Sequence, residues 1–211
     1  MLSIAIVTPW TDHLELADDY FEAVLPEMED GDENIIVDNG SEPPLRFAYS
    51  PSPGTNLGFS GGSNYGLRVA TADAVLFLNN DIVVERRGWL SDVREALDPG
   101  VLVGPRIAPL HAYVDGRPIP YIEGWCLAGM REDLLALGGF DETLTEPAYY
   151  SDNLLCLEAR LAGMTLHNLN VGLRHLQNRT AGTQWEPSVQ AASSDNRARY
   201  QARARDVLAA V

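Results

Sequence analysis

Three polar residues follow a short, fully apolar run in the first half of the chain. The run is Ala-Val-Leu-Phe-Leu at residues 74–78, and Asn79, Asn80 and Asp81 come directly after it. An unbroken apolar run of this length is typical of a strand that is covered on both faces of a sheet. Ligands of open α/β sheets bind where such strands end. The three polar residues are therefore candidates for ligand binding, although taken alone they are also ordinary turn residues.

A glycine-rich segment precedes that strand. Gly58, Gly61 and Gly62 lie close together, and helical spacing begins at Ser63. Glycines allow a backbone to approach a ligand closely, and a helix that begins beside them offers N–H groups to an anion. We expect a loop at residues 58–62 that contacts a ligand, although a close-packed turn would have the same composition.

Two further carboxylates stand at the ends of predicted elements. Asp38 ends a buried strand at residues 34–37, and Asp152 opens a helix that runs to about residue 162. A helix N-terminus stabilises the Asp152 carboxylate, whereas burial would raise its pKa. An Asp at a helix start is most often a cap, so position alone does not identify a catalytic group.

The predicted elements have the order expected of an α/β fold. In the first half, strands alternate with helices, which predicts a mostly parallel, Rossmann-like sheet with right-handed crossovers. Pro9 and Trp10 are expected to turn the first strand out of the sheet, and residues 46–49 to form a short strand before a turn at 51–54. The Asp-Gly pair at residues 115–116 predicts a tight hairpin, so a smaller antiparallel portion is expected in the second half.

Bulk composition narrows the class of protein. A chain of 211 residues with 45 % hydrophobic residues suits one soluble globular domain. The net charge of −15 disfavours binding to nucleic acid or anionic lipid. The sequence shows neither a membrane-spanning run nor a basic leader, and Cys126 and Cys156 lack metal-site spacing. We expect a cytoplasmic protein, not integral to a membrane, with reduced, buried thiols.

Several ordered motifs together resemble family 2 glycosyltransferases with the GT-A fold, particularly the rhamnosyltransferase-like branch. The motifs are Ile-Ile-Val-Asp-Asn-Gly-Ser at residues 35–41, Asn-Leu-Gly-Phe-Ser-Gly-Gly-Ser-Asn at 56–64 and Leu-Asn-Asn-Asp at 78–81. The resemblance continues through residues 138–142, residues 150–152 and His175. It implies one GT-A domain at residues 1–182, with a nucleotide-binding half at 1–84 and an acceptor half at 85–182. Residues 183–211 would form a loop and a C-terminal helix.

The resemblance also implies roles for individual residues. Asp81 and His175 would bind a divalent cation, Mn²⁺ or Mg²⁺, with a slight preference for Mn²⁺ because one ligand is an imidazole. Asp152 would be the general base of an inverting transfer to a hydroxyl group. The sugar nucleotide, with UDP as the preferred carrier, would contact a larger set of residues: Thr8, Pro9, Asp38, Gly58, Gly61, Asn64, Asn79 and Asn80.

Three residues are assigned to the sugar and acceptor side. Trp125 lies within a predicted strand at residues 124–129, which has small residues where a sugar could approach, and Gly129 is one of these. An indole ring can stack on a sugar, although most tryptophans are core residues. Asp141 belongs to the Gly-Gly-Phe-Asp-Glu motif at residues 138–142 and is assigned to substrate binding. The acceptor would be a glycan or another molecule with a hydroxyl group.

The chain also departs from the family pattern beside Asp152. The family usually has Glu-Asp-x-Asp-Leu followed by Arg, whereas here Ser151 precedes Asp152 and Glu158 stands at the Arg position. This leaves open a catalytically silent sugar-nucleotide binding module. A nucleotidyltransferase is a third candidate function. Enzymes of that class usually have a basic, Gly-rich signature close to the first strand, and this chain does not. The Arg-rich terminal helix is predicted to expose a solvated face. Residues 178–180 are predicted to form a surface loop or a lid.

Overall fold

A computed structural model describes residues 1–48, 55–105, 107–108, 113–144, 149–176 and 187–209. For residues 107–108 and 207–209 it describes the backbone only. The turn predicted at residues 51–54 and the lid considered at 178–180 lie outside these ranges.

The described chain contains α-helices and β-strands that alternate in its first half. The strands are β1 (Ile4–Trp10), β2 (Glu33–Asp38), β3 (Ala74–Leu78), β4 (Ile82–Val84), β5 (Val101–Gly104), β6 (Ile107–Ala108), β7 (Tyr113–Val114), β8 (Arg117–Pro118), β9 (Tyr121–Ile122), β10 (Cys126–Met130), β11 (Thr165–Asn168) and β12 (Leu173–His175). The helices are α1 (Ala17–Val24), α2 (Gly58–Val69), α3 (Trp89–Ala96), α4 (Arg131–Ala136), α5 (Ser151–Leu161) and α6 (Pro187–Ala209). Short 3₁₀ turns at Leu14–Leu16 and Leu25–Glu27 flank α1.

A six-stranded sheet with the order β11-β5-β10-β3-β1-β2 forms the centre of the molecule. Strand β1 pairs in parallel with β2 and β3, and β11 pairs in parallel with β5. Strand β10 lies between β3 and β5 and is antiparallel to both. The prediction of a mostly parallel sheet with a smaller antiparallel portion is confirmed, and so is the hairpin at residues 115–116, which joins β7 and β8.

Hydrophobic residues cover both faces of this sheet. Along β1, Ile4 and Ile6 belong to one core cluster, whereas Ala5 and Val7 belong to the other. Successive side chains of a strand point to opposite faces, so a strand that is covered on both sides is apolar at every position. Helices α1 and α3 pack on the first face, and α2, α4, α5 and α6 contribute to the second. Cys126 and Cys156 are buried free thiols, as predicted.

Helix α2 begins at Gly58, five residues before the predicted start, so the glycines lie within the helix rather than in a loop. A Cβ atom at Gly62 would lie 3.1 Å from Pro9 Cβ, and one at Gly66 would overlap Val7 Cγ1. The absence of side chains at these positions lets α2 pack closely against β1. The predicted ligand loop at residues 58–62 is therefore corrected to a helix that packs on the sheet.

Two other local predictions were wrong. Strand β1 continues through Pro9 and Trp10, which pair with Val37 and Asp38 of β2. Proline is tolerated there because β3 pairs with β1 only as far as Val7, so Pro9 has a strand neighbour on one side. Residues 46–48 form a turn rather than a strand, and residue 49 lies outside the described ranges.

Helix α6 is longer than predicted and is partly a core element. It begins at Pro187 rather than near residue 195. Tyr200 and Ala204 are buried in the second core cluster, and Arg203 forms two hydrogen bonds to Glu158 of α5, at 2.6 and 2.9 Å. No helix among the described residues has the length and apolar character needed to cross a membrane.

The close packing of α2 on β1 leads to a stability prediction. Gly→Ala in a helix normally stabilises a protein by up to about 1 kcal/mol, but a methyl group at Gly66 would overlap Val7. We expect Gly66→Ala to lower the free energy of unfolding by about 1–3 kcal/mol, the usual cost of overpacking. Urea unfolding would measure this loss.

Val69→Ala is a suitable control because Val69 lies in the same helix and is 38 % exposed. It should change the free energy of unfolding by about 0.5 kcal/mol or less. A Gly66→Ala protein as stable as the wild type would contradict the close approach of helix and strand.

Candidate active site

Polar side chains gather at one edge of the central sheet. Strands β1, β2 and β3 run in the same direction, so their carboxyl ends meet at this edge. Asp38 is the last residue of β2, and Asn79, Asn80 and Asp81 follow β3 directly. This is the edge at which open α/β sheets bind ligands.

Asp81 and His175 are brought together by a small second sheet. Strand β12 pairs with β4 so that His175 lies opposite Ile82, and the Leu176 N–H donates to the Asp81 carbonyl at 2.9 Å. The His175 Nε2 atom lies 2.9 Å from Asp81 Oδ1 and 3.0 Å from Asn79 Nδ2. The predicted pair of metal ligands is thus adjacent in space.

The surroundings of Asp81 fit a divalent cation. Its carboxylate is buried, and neither oxygen accepts a hydrogen bond. Burying a carboxylate without a donor is costly, so a cation at this position would compensate it. Adjacent ligands of an octahedral ion with bonds of about 2.1 Å lie about 3.0 Å apart, close to the distance between Nε2 and Oδ1. Among the described residues no three His, Cys, Asp or Glu converge on a metal site, so phosphate or water would complete the coordination.

Asp152 lies in the first turn of α5 and is held by backbone N–H groups. Gly124 N–H donates to Oδ2 and Asn153 N–H donates to Oδ1, both at 2.9 Å. Burial raises the pKa of Asp152 to about 6, the two N–H donors oppose this rise, and the negative charge of Glu123 adds to it. At pH 7 most of the carboxylate is ionised and can accept a proton.

The segment Glu123-Gly124-Trp125 connects the two carboxylates. Cys126 of β10 lies opposite Leu78 of β3, so the residues before Cys126 run past the end of β3. Asn79 N–H donates to the Trp125 carbonyl at 2.9 Å, and Gly124 contacts Asp152 as described above. Asp81 and Asp152 are thus on the same side of the molecule, joined by a short series of contacts. Sequence analysis did not assign Glu123 or Gly124 to the site, because nothing in the chain shows that β10 is reversed.

Three residues assigned to nucleotide binding have structural partners. Thr8 has no exposed surface, and its hydroxyl lies 2.8 Å from the Tyr20 hydroxyl, so its side chain is not available to a nucleotide. Asn64 donates to the Phe140 carbonyl and accepts from the Phe140 N–H, which ties α2 to the 138–142 motif rather than to a ligand. Asp38 is buried and accepts backbone N–H bonds at 2.9 and 3.0 Å within the loop that follows β2. Its contact with a nucleotide stays a prediction.

Two N–H groups at the start of α2 donate to side chains. Leu57 N–H donates to the Asn39 side chain at 2.7 Å, and Gly58 N–H donates to Asn56 Oδ1 at 2.8 Å. A Cβ at Gly61 would lie 2.9 Å from Leu57 Cβ, so this glycine permits tight local packing. The N–H groups of Leu57 and Gly58 are therefore not available to an anion, and anion binding by the rest of the first turn stays a prediction. Pro9 is half-buried, and no described contact assigns it to a ligand.

The three residues assigned to the sugar and acceptor side occupy different places. Gly129 is buried within β10, where a Cβ would lie 2.8 Å from Leu102 Cδ2, so it is a packing residue and not a sugar contact. Asp141 is exposed, and its Oδ1 accepts both the N–H and the hydroxyl of Thr143. Trp125 does reach the site, but it stacks on His175.

A cavity of about 380 Å³ lies at the other edge of the sheet. Its lining comes from the start of β2 and the end of α2, namely Glu33, Asn34, Ile35, Val69 and Thr71. None of the predicted site residues borders this cavity. The position of the candidate site is therefore inferred from its carboxylates and not from a cavity.

The sequence of this chain is similar to those of three known mycobacterial proteins. No protein-family model matches the chain. The uncharacterized proteins Mb1552 of Mycobacterium bovis and MT1576 and Rv1525 of two Mycobacterium tuberculosis strains are each 31 % identical to it over 189 residues. Each alignment covers 78 % of this chain and 72 % of the relative.

Solved structures with the same fold are glycosyltransferases of the GT-A type. A Pyrobaculum calidifontis mannosyltransferase in complex with GDP-Man and Mn²⁺ has a TM-score of 0.62 at 18 % identity, over 84 % of this chain and 58 % of that one. The catalytic domain of Drosophila β1,4-galactosyltransferase 7 with xylobiose has a TM-score of 0.59 at 16 % identity, over 91 % and 79 %. A mutant of that enzyme with manganese, UDP-Gal and xylobiose gives 0.58 at 15 % identity, with the same coverage. This chain thus spans little more than half of the mannosyltransferase chain.

Because the pKa of Asp152 is raised, the difference in stability between the wild type and Asp152→Asn should depend on pH. Below about pH 4, Asp152 is protonated in the folded and unfolded states alike. Between about pH 4 and pH 6 the unfolded chain releases this proton and the folded protein retains it, so the residue lowers stability as pH rises. Relative to the wild type, Asp152→Asn should gain about 2 kcal/mol between pH 4 and pH 7. Urea unfolding of both proteins across this range would measure the gain.

Asp73→Asn provides a control, because its stability relative to the wild type should change with pH in the opposite direction. Hydrogen bonds from the Ser3 N–H and hydroxyl lower the pKa of Asp73, so its stabilising contribution is present above about pH 4 and is lost below it. This variant should therefore lose stability relative to the wild type as pH rises toward 4. A constant difference between Asp152→Asn and wild type at all pH values would show that Asp152 is not held in a desolvated position.

Proposed function

We propose that this chain, which belongs to the family of Mb1552, MT1576 and Rv1525, is a metal-dependent, inverting glycosyltransferase, because it has the GT-A fold. It would move a sugar from a nucleotide-diphosphate sugar to a hydroxyl group of an acceptor. The observation that carries this proposal is the buried carboxylate of Asp81, which lacks hydrogen-bond donors and lies 2.9 Å from His175 Nε2.

The donor would be held at the carboxyl ends of β1 to β3. A divalent cation bound by Asp81 and His175 would offset the negative charge of the diphosphate leaving group. The Asn80 side-chain N–H group is buried without an acceptor, so it could donate a hydrogen bond to an oxygen atom of the sugar nucleotide. Asn79 is already in contact with His175, so we assign it to orienting that ring. Complexes of the structural neighbours contain GDP-Man or UDP-Gal, and UDP as the carrier here is part of the proposal.

Asp152 would act as the general base. Its ionised carboxylate removes the proton of the acceptor hydroxyl as the acceptor oxygen attacks the anomeric carbon. The bond from that carbon to the diphosphate breaks, and the diphosphate leaves with the electron pair. A single displacement of this kind inverts the configuration of the anomeric carbon. A pKa of about 6 keeps Asp152 mainly ionised at pH 7 while leaving it a useful proton acceptor.

A catalytically silent sugar-nucleotide binding module is the second candidate. It is favoured by Glu158, which stands where the family resemblance places an Arg and is bound by Arg203 of α6. Glu158 is thus engaged in holding the terminal helix rather than in supporting a substrate. Transfer or hydrolysis of any sugar-nucleotide donor by the wild type would exclude this alternative.

Metal-dependent donor binding is the first prediction of the proposed function. Thermal unfolding of the protein with UDP-, GDP- and dTDP-sugars should show an increase in Tm that requires Mn²⁺ or Mg²⁺ and is reversed by EDTA, because a ligand stabilises the state that it binds. Asp81→Asn should abolish this increase. Without metal, the same variant should be more stable than wild type, because it removes a buried charge that has no hydrogen-bond donor.

Asp73→Asn is a matched control, because Asp73 precedes β3 at the opposite edge of the sheet. It should leave the metal-dependent increase in Tm intact. If Asp81→Asn responds to the donor and metal as the wild type does, Asp81 does not bind the cation.

Asp152→Asn should separate binding from catalysis. The amide keeps the size of the side chain but cannot accept the acceptor proton. We expect donor affinity within about twofold of wild type and a transfer rate lower by a factor of about 10² to 10⁴, the usual contribution of a general base. Isothermal titration with the donor and product analysis by chromatography would measure the two quantities. Unchanged transfer in this variant would refute the assignment of the base.

A further inference from the structure

Trp125 is fixed on three sides within the candidate site. Its indole ring stacks on the His175 imidazole, with 5.2 Å between ring centroids and 10° between ring planes. Its Nε1–H donates to Glu123 Oε2 at 3.0 Å, and its carbonyl accepts from Asn79 N–H at 2.9 Å. The ring is therefore held at its edge and through its backbone as well as by stacking.

The stacking constrains His175 in a way that its other contacts do not. The atoms of Asn79 and Asp81 approach only the Nε2 end of the imidazole. Two contacts at one end of a ring leave the plane of the ring free to tilt, whereas a parallel aromatic face sets that plane. An aromatic face also attracts positive charge, which an imidazole gains when it binds a cation.

We propose that Trp125 is a positioning residue for the metal ligand His175. It sets the plane of the imidazole so that Nε2 points to the space beside Asp81 Oδ1. This inference rests on the proposed function, because it takes His175 as a ligand of the divalent cation. The face turned to His175 is not available to a substrate, so the stacking of a sugar on Trp125, which stays a prediction, would use the opposite face of the indole.

Glu123, the hydrogen-bond partner of Trp125, connects this arrangement to the proposed base Asp152. Glu123 holds the indole N–H and is close enough to Asp152 for its negative charge to act on that carboxylate. Gly124, between the two, donates its N–H to Asp152 at 2.9 Å. One segment of three consecutive residues therefore positions a metal ligand through its last member and the base through its middle member.

Four variants test the inference by direct measurement of Mn²⁺ binding. Electron paramagnetic resonance would report free Mn²⁺ in titrations of wild type, Trp125→Leu, Trp125→Phe and His175→Ala, and of the double variant Trp125→Leu/His175→Ala. Leu fills space but has no flat face, so Trp125→Leu should bind Mn²⁺ about tenfold more weakly, as is usual when a partner of a metal ligand is lost. Trp125→Phe keeps a ring that can stack and should stay within about threefold of wild type.

The double variant distinguishes positioning from a general loss of structure. Once His175 is replaced, Trp125→Leu should weaken Mn²⁺ binding no further, because the residue through which Trp125 acts is absent. Circular dichroism and thermal unfolding would establish that each variant is folded.

Each contrary outcome identifies what fails. If Trp125→Leu binds Mn²⁺ like wild type while His175→Ala binds it weakly, the inference is wrong and the metal site stands. If the two substitutions have additive effects, Trp125 does not act through His175. If wild type binds no Mn²⁺, or His175→Ala binds it normally, the proposed metal site fails and the inference falls with it.

Discussion

The candidate site depends on a buried carboxylate that lacks hydrogen-bond donors. Asp81 is 1 % exposed, and both of its oxygens lack hydrogen-bond partners. Burying a carboxylate without a hydrogen-bond donor lowers stability unless a nearby positive charge compensates it. The pairing of β12 with β4 places His175 Nε2 beside the carboxylate, with Nε2 also near the Asn79 amide. This arrangement suits a ligand that brings positive charge to the edge of the sheet.

The reversed direction of β10 allows the second half of the chain to reach that edge. In an all-parallel sheet, the residues before a strand lie at the edge opposite the carboxyl ends. Strand β10 is antiparallel to β3, so the residues before it, Glu123, Gly124 and Trp125, lie beside Asn79 instead. From there Gly124 reaches Asp152 and Trp125 reaches His175. One antiparallel strand in a mostly parallel sheet thus brings the proposed base and the proposed metal ligands to one side of the molecule.

Several polar and glycine residues that suggest ligand binding serve the fold instead. Gly62 and Gly66 permit close contact of α2 with β1, and Asn64 ties α2 to the 138–142 motif. Thr8 and Asp38 satisfy buried hydrogen bonds. These roles were not predictable from the sequence, because a missing Cβ or a buried amide looks the same whether its neighbour is a ligand or another strand. The same limit applies to Gly129, which packs against Leu102.

The sequence by itself determined the elements whose pattern is local. Unbroken apolar runs identified β2 and β3, the Asp-Gly pair identified the hairpin of β7 and β8, and the position of Asp81 after β3 predicted a ligand site at that edge. Only the tertiary structure decided that His175 lies beside Asp81, that Trp125 stacks on His175 and that Gly124 holds Asp152. The reason is physical: hydrophobic periodicity and turn chemistry act between neighbours in the chain, whereas strand order and direction bring together residues that no local pattern relates.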